Sequence, residues 1–244
     1  MSSSAARAAA HPHVVVIGAG PAGLATAYCL AQRRIGYTLL ERGPSILAGL
    51  RRIDPSMELL SPSAFSRLPG LRRPMECVAT ARRGRRARGQ ARTATYWTFA
   101  DYAALLEEYA RHHRIEAIVD TEVVAVRRVE GGFEVDVRRP GGTPETIAAS
   151  HVVNCAGIVS SPRLPSDFAG VTPRWSWRHS LAVRAEDLAA ARRLLVVGGG
   201  ASAAETLDLW LDVHRPESEA WLALRSRLFA FTNPILGLDI HCWI

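Results

Sequence analysis

The sequence predicts an α/β fold in which one strand, glycine-turn, helix, strand unit occurs twice. A short apolar strand runs straight into Gly18-Ala19-Gly20-Pro21-Ala22-Gly23, and a second such strand runs into Gly198-Gly199-Gly200-Ala201-Ser202-Ala203. Between them the apolar period changes from that of a helix to that of strands.

Each element follows from its residues. His13 to Ile17 is a continuous β-branched run, as expected of a parallel strand buried on both faces. Pro21 to Arg34 carries Leu24, Ala27, Tyr28, Leu30 and Ala31 at helical spacing, and Gly36 allows the return into Tyr37 to Leu40. Residues 43–92 are rich in Pro, Gly, Ser and Arg and predict irregular structure. Phe99 to His112 is an amphipathic helix, with Phe99, Tyr102, Leu105, Leu106 and Tyr109 on its apolar face. Ile115 to Val119, Glu122 to Val129, Phe133 to Arg138 and Glu145 to Ala149 then read as an antiparallel meander, turned by Gly131-Gly132 and Pro140-Gly141-Gly142. His151 to Asn154 returns as a buried strand. The second unit comprises Leu194 to Val197, a helix through Val213, and Ala220 to Leu224.

Composition bounds the function. Hydrophobic residues make up 48% of the 244 and never approach the roughly 20 in a row that cross a bilayer. The N-terminal stretch lacks an apolar signal core, so a soluble cytoplasmic protein is expected. The net charge is +7, yet all 30 basic residues are Arg, which marks a compositional bias across the chain. The run Arg82-Arg83-Gly84-Arg85-Arg86-Ala87-Arg88 has no interleaved aromatics and reads as a solvated loop, with no nucleic acid as partner. Cys29, Cys77, Cys155 and Cys242 are too scattered for a redox pair or a metal cluster, so free thiols and no metal are expected.

The glycine bends carry the chemistry. Gly18 allows a tight turn, Gly20 lets the backbone approach a pyrophosphate, and Gly23 lets the helix pack against the strand, while the helix N-terminus offers amide donors to phosphate. Glu41 ends the next strand, where a carboxylate can accept from both ribose hydroxyls and would repel a 2′-phosphate; a solvated glutamate is the alternative. In the second bend Ala203 takes the third glycine's place. The following strand ends Leu224-Arg225-Ser226-Arg227, putting guanidinium groups where Glu41 stands in the first unit, suited to a 2′-phosphate or else simply surface arginines.

The order GAGPAGLATA, Glu41, LLSPSAFSRLPG (59–70), LLEEYA (105–110), NCAG (154–157), FAG with RHS (168–180) and VVGGGASAAE (196–205) resembles the flavin-containing monooxygenases, specifically the bacterial branch labelled flavoproteins involved in potassium transport. The likeness extends to PILGLDIHCWI (234–244) and covers nearly the whole chain. It implies two Rossmann-like dinucleotide-binding lobes. After a disordered tail at 1–12, residues 13–157 form an FAD lobe bearing the antiparallel meander, 158–180 a connection, and 181–244 an NADPH lobe incomplete at the C-terminus. In the activity it implies, NADPH reduces FAD by hydride transfer, then O₂ is activated and oxygen passes to a small organic substrate, with no protein nucleophile assigned. Cofactor contacts would include Arg42, Val123, Ala156, Gly157, His179 and Ser180 besides the two bends and Glu41, with Arg225 suited to NADPH. Phe168, Gly170 and His179 fit the family's linking motif loosely, and His179 could equally be a loop histidine. The family's Gly-Gly-x-Trp element is reduced to Ala48-Gly49-Leu50-Arg51. In this family a later segment returns to complete the FAD lobe, so a homodimer or a complementing chain is an expected partner. Two further readings stay open: a pyridine nucleotide–disulfide reductase, and a non-catalytic remnant that binds a dinucleotide or nothing.

Overall fold

A computed structural model of the chain describes residues 13–71, 96–157, 162 and 177–225. The N-terminal tail, the Arg82–Arg88 run, Phe168 and Gly170, most of the connection, Arg227 and the segment 234–244 lie outside the described residues. The chain divides into two compact units, Met1–Leu50 with Leu68–Glu76 and Ala103–Ser160, and Arg51–Arg67 with Cys77–Tyr102 and Ser161–Ile244. Residues 51–67 and 96–102, which fall within 13–157 in the sequence reading, thus group with the second unit. No helix among the described residues is long and apolar enough to cross a membrane.

The first unit is built on a parallel sheet of order β2-β1-β6, made of β1 (His13–Ile17), β2 (Gly36–Leu40) and β6 (His151–Asn154). The β-branched run makes β1 the central strand, with Val15 and Val16 fully buried. Helix α1 (Pro21–Gln32) covers one face, where Leu24 and Ala27 are fully buried. An antiparallel sheet of β3 (Glu122–Val129), β4 (Gly132–Arg138) and β5 (Glu145–Ala149) covers the other. Val15 and Leu40 there share a core with Val135, Val137 and Ala149. The meander has three strands, because Ile115 to Val119 forms no regular strand: Ile118 makes a single parallel bridge to Leu40.

Helix α2 (Phe99–His112) begins in the second unit and ends in the first. Its apolar stripe buries Leu105, Leu106 and Tyr109 completely. The Tyr109 hydroxyl donates to the Pro69 carbonyl at 2.7 Å, and His113 Nε2 lies 3.2 Å from the Gly70 carbonyl. Gly70 has φ +76°, and a Cβ there would fall 2.3 Å from the Tyr28 ring, so glycine is required on both counts. Burial, with the nearby Tyr28 and Cys29 adding to it, holds the Tyr109 phenol well above its ordinary pKa, and burial pushes Tyr102 up to about 12.

The second unit holds a parallel pair, β7 (Arg193–Val197) and β8 (Glu219–Ala223), with helices α3 (Ala185–Ala190) and α4 (Ala201–Val213). Leu188, Leu209 and Trp210 form its core with Met57, Val183 and Leu194 around them. The opposite strand face leaves Leu195 and Val197 exposed at 54% and 60%, and Trp221 at 49%.

Tyr109→Phe should remove the donor to the Pro69 carbonyl, lowering stability by about 0.5–1.5 kcal/mol. Urea denaturation checks this, and an unchanged midpoint would mean the bond contributes nothing.

Candidate functional site

The first bend has the backbone that a phosphate-binding turn needs. Gly18 takes φ +96°, and its N–H donates to the Leu40 carbonyl at 2.7 Å, tying the end of β1 to the end of β2. A Cβ on Gly18 would sit 2.6 Å from the Cys155 carbonyl oxygen and 3.0 Å from the Ala156 Cα. A Cβ on Gly23 would sit 1.9 Å from the Gly18 carbonyl oxygen. These two glycines are therefore demanded by the protein's own backbone. Gly20 is different: it has φ −80°, and no atom lies within 4 Å of where its Cβ would be. The open space lies above the start of α1, where Gly20 is the N-cap and Pro21 the first helical residue. The first amides of a helix have no partner within it, so Gly20, Ala22 and Gly23 present N–H groups at the positive end of the helix dipole.

Glu41 anchors this bend. Its Oε2 accepts the Ala19 N–H at 2.8 Å and its Oε1 accepts the Gly43 N–H at 2.8 Å. The Glu41 backbone is held as well, its N–H donating to the Ile118 carbonyl at 2.9 Å and its carbonyl accepting the Thr121 N–H at 2.8 Å. The Ala19 carbonyl accepts the Leu47 N–H at 3.0 Å, so the Gly43–Leu47 turn folds back over the bend. Sequence reasoning missed Gly43 and Leu47. The spacing Glu41-Arg42-Gly43 was the available signal, because a Cβ on Gly43 would lie 2.2 Å from the Ala48 Cβ and glycine alone fits.

Of the other residues expected in this unit, Ala156 and Gly157 stand beside the bend. Cys155 N–H donates to the Ile17 carbonyl at 2.8 Å, and Gly157 has φ +71° with open space where a Cβ would project. Val123 pairs with Val137, and its partly buried side chain packs on the core. Arg42, with Asp120, Glu122, Arg138 and Arg139, lines a cleft of about 330 Å³, its guanidinium 4.0 Å from Glu122.

The second bend repeats the first. Gly198 takes φ +128° and donates to the Ala223 carbonyl at 3.0 Å, as Gly18 does to Leu40. Gly200 is the N-cap of α4 at φ −88°, and its carbonyl accepts the Ala203 and Ala204 N–H groups at 3.0 and 3.3 Å. A Cβ on Gly198 or Gly200 would meet nothing within 4 Å. Gly199, Ala201 and Ser202 are all exposed at the mouth of this bend. Ala203 is half-buried, and deeper in the helix burial raises the Glu205 carboxyl above its ordinary pKa.

One equivalence expected from sequence shifts by a residue. Val197 pairs with Ala223 as Ile17 pairs with Leu40, so the counterpart of Glu41 is Leu224, and Arg225 is the counterpart of Arg42. The second bend therefore has no carboxylate at the place where Glu41 clamps the first. His179 caps the short turn Ser180–Ala182, its Nδ1 accepting the Leu181 N–H at 3.3 Å, and the turn packs against α4.

A family model described as pyridine nucleotide-disulphide oxidoreductase matches residues 15–213, from the first strand through the second helix. The chain belongs to the pyridine nucleotide-disulphide oxidoreductase family. Within that family breadth it is 29% identical over 239 residues to an indole-3-pyruvate monooxygenase, YUCCA1, of Oryza sativa subsp. japonica, covering 93% of this chain and 51% of that one. Among solved structures it is similar to a bacillithiol disulfide reductase of Bacillus cereus, at TM-score 0.69 and 16% identity, with 95% of this chain and 62% of that one covered. It is also similar to a flavin-containing monooxygenase of Stenotrophomonas maltophilia, at TM-score 0.67 and 20% identity over 95% and 62% of the two chains. Both likenesses show the α/β fold of this pyridine nucleotide-disulphide oxidoreductase chain. The chain spans about half the length of the curated relatives it matches.

Gly23→Ala should force α1 away from the first bend, since the atom opposing the new methyl is backbone. Overpacking of this kind costs on the order of 1–3 kcal/mol. Denaturation compared with Gly20→Ala, which meets open space, reads the difference, and equal midpoints would contradict the packing described.

Proposed function

We propose that the chain is the dinucleotide-binding portion of an FAD- and NADPH-dependent oxidoreductase of the flavin monooxygenase type, acting on a small organic substrate with O₂. The observation that carries this reading is the pair of glycine bends in one chain, each opening on a helix of at least 12 residues.

The residues of the first bend fit FAD. The open space at Gly20 is the cradle that a Cβ would fill, and the amides around it suit a pyrophosphate. Glu41 stands beside it with the chemistry for ribose hydroxyls, and its negative charge disfavours a nucleotide carrying a 2′-phosphate. The residues of the second bend fit NADPH. No carboxylate stands at the position of Glu41, and the exposed Arg225 one residue further can reach a 2′-phosphate with paired donors. When bound, FAD would take a hydride from the nicotinamide and pass oxygen on from O₂; the chain's part is to hold the two nucleotides and keep water from the reacting atoms.

A disulfide reductase shares this fold, so the choice rests on sequence. Monooxygenases are named among the relatives matched over about nine-tenths of this chain. No two cysteines lie close in the sequence, and neither Cys29 nor Cys155 is in a disulfide. Purified protein with a flavin spectrum that NADPH bleaches, and with oxygenated product formed from O₂, is the expected result. A colourless sample that takes up neither nucleotide overturns the proposal.

Gly20→Val should leave the fold intact, since its side chain enters empty space, and should abolish FAD retention. Wild-type flavin content in that variant would place FAD elsewhere. Arg225→Ala should weaken NADPH about tenfold or more while barely altering NADH, the size of one lost charge-assisted contact. Equal losses for the two nucleotides, measured by titration calorimetry, would remove Arg225 from the 2′-phosphate.

A further inference from the structure

The buried carboxylate Asp54 has no place in the bend chemistry, yet it is only 3% exposed. Its Oδ1 accepts the Ser56 N–H at 2.9 Å and the Ser56 hydroxyl at 2.5 Å, and its Oδ2 accepts the Ala185 N–H at 2.7 Å, at the first residue of α3. The adjacent Arg184 reaches back, donating from Nη1 to the Ile53 carbonyl at 2.6 Å and from Nη2 to the Arg51 carbonyl at 3.0 Å. Burial alone would raise the Asp54 carboxyl; the bonds from Ser56 and Ala185, with the Arg184 charge, outweigh that and hold it below the usual value. Residues 51–56 and the start of α3 are thus stitched together by bonds in both directions.

This stitch lies next to a residue pair expected at the nucleotide. Arg184 follows the turn Ser180–Ala182 by two residues, and Asp187 pins the turn's two flanks by accepting the Arg184 N–H at 3.1 Å and the Arg178 guanidinium at 2.7 Å. The turn in turn packs against α4, whose N-cap is Gly200. Moving the start of α3 would therefore move His179 and Ser180 relative to the second bend.

We propose that Asp54 and Arg184 are positioning residues for the nicotinamide nucleotide: they fix the His179–Ser180 turn at the second bend without touching the ligand. The inference rests on the reading of that bend as the NADPH site. In Asp54→Asn one amide hydrogen must face either the Ala185 N–H or the Ser56 donors, and in Arg184→Ala both carbonyls lose their donor.

The test is NADPH titration calorimetry on the FAD-loaded full chain, for wild type, Asp54→Asn, Arg184→Ala and the double variant. Leu209→Ala serves as comparison, because it weakens the same core while leaving every hydrogen bond of Asp54 and Arg184 in place. Each single variant should raise the NADPH Kd about tenfold, the scale expected when a binding group is misplaced by a fraction of an ångström, and the double variant should add little more. FAD content should be unchanged throughout, and Leu209→Ala should bind NADPH as wild type does despite its lower denaturation midpoint. Wild-type Kd in both single variants, fully additive losses, or a matching loss in Leu209→Ala would each overturn the positioning role while leaving the NADPH site standing. A wild-type chain that does not bind NADPH at all would overturn the site itself and this inference with it.

Discussion

The Glu41 carboxylate, bridging the amides of Ala19 and Gly43, is the interaction on which the first unit's geometry turns. A carboxylate accepting two backbone N–H groups makes two charge-assisted bonds, each stronger than a neutral one, and here they join the glycine bend after β1 to the chain leaving β2. The Gly18 N–H to Leu40 carbonyl bond closes the same gap one residue earlier. With both in place, the path of the bend is fixed before any ligand arrives. A phosphate then meets amides already aimed, which is the economy of a preorganised site. In the proposed FAD site the same carboxylate would also disfavour a nucleotide carrying a 2′-phosphate.

The second unit reaches a similar bend by other means. Leu224 stands in place of the acid, and among the described residues no carboxylate clamps Gly198 to Gly200 and no atom crowds either glycine. Gly18 and Gly23 are forced by backbone at 2.6 and 1.9 Å, whereas Gly198 is needed for its φ of +128° alone. The difference extends to the sheets. Both faces of β1 are covered, by α1 and by the meander, while β7 and β8 carry helix on one face and leave Leu195, Val197 and Trp221 to solvent on the other. Among the described residues, the second unit draws its order from α3, α4 and the 51–67 segment, which is why a buried Asp54 can matter there.

Much of this was legible in the sequence because the period of burial is written into side-chain type. Glu122–Val129, Glu145–Ala149 and His151–Asn154 begin and end where their alternation or apolar run does, and Phe99–His112 matches its stripe of Leu105, Leu106 and Tyr109. Ile115 to Val119 misled for a physical reason: its β-branched residues suit a strand, but only Ile118 bridges to β2, the Ile115 N–H is used by the Ala110 carbonyl, and the backbone that follows, at Asp120 and Thr121, holds Gly43 and Glu41 in place. The Arg225 equivalence slipped by one because strand ends cannot be counted without the ladder. Asp54 and Gly43 were invisible for another reason. Each matters through a partner distant in the chain or through a clash, and neither leaves a periodic trace.

The likeness to both a disulfide reductase and a monooxygenase follows from what the described residues contain. On the proposed reading, two glycine bends, an acid beside one and an arginine beyond the other would hold two nucleotides, and nothing in that set specifies where the electrons go afterwards. A reductase must bring two sulfurs to the flavin. Cys29 sits within α1, and Cys155 follows β6 with its thiol 3.6 Å from the Thr26 hydroxyl, at positions set by packing on the first bend and not by a shared turn. A monooxygenase asks less of its side chains, since oxygen reacts at the cofactor, and needs mainly that the two nucleotides stay aligned and dry. On that argument the demanding residues of such an enzyme are those that fix backbone, and the Glu41 and Asp54 carboxylates of this chain both hold main-chain amides.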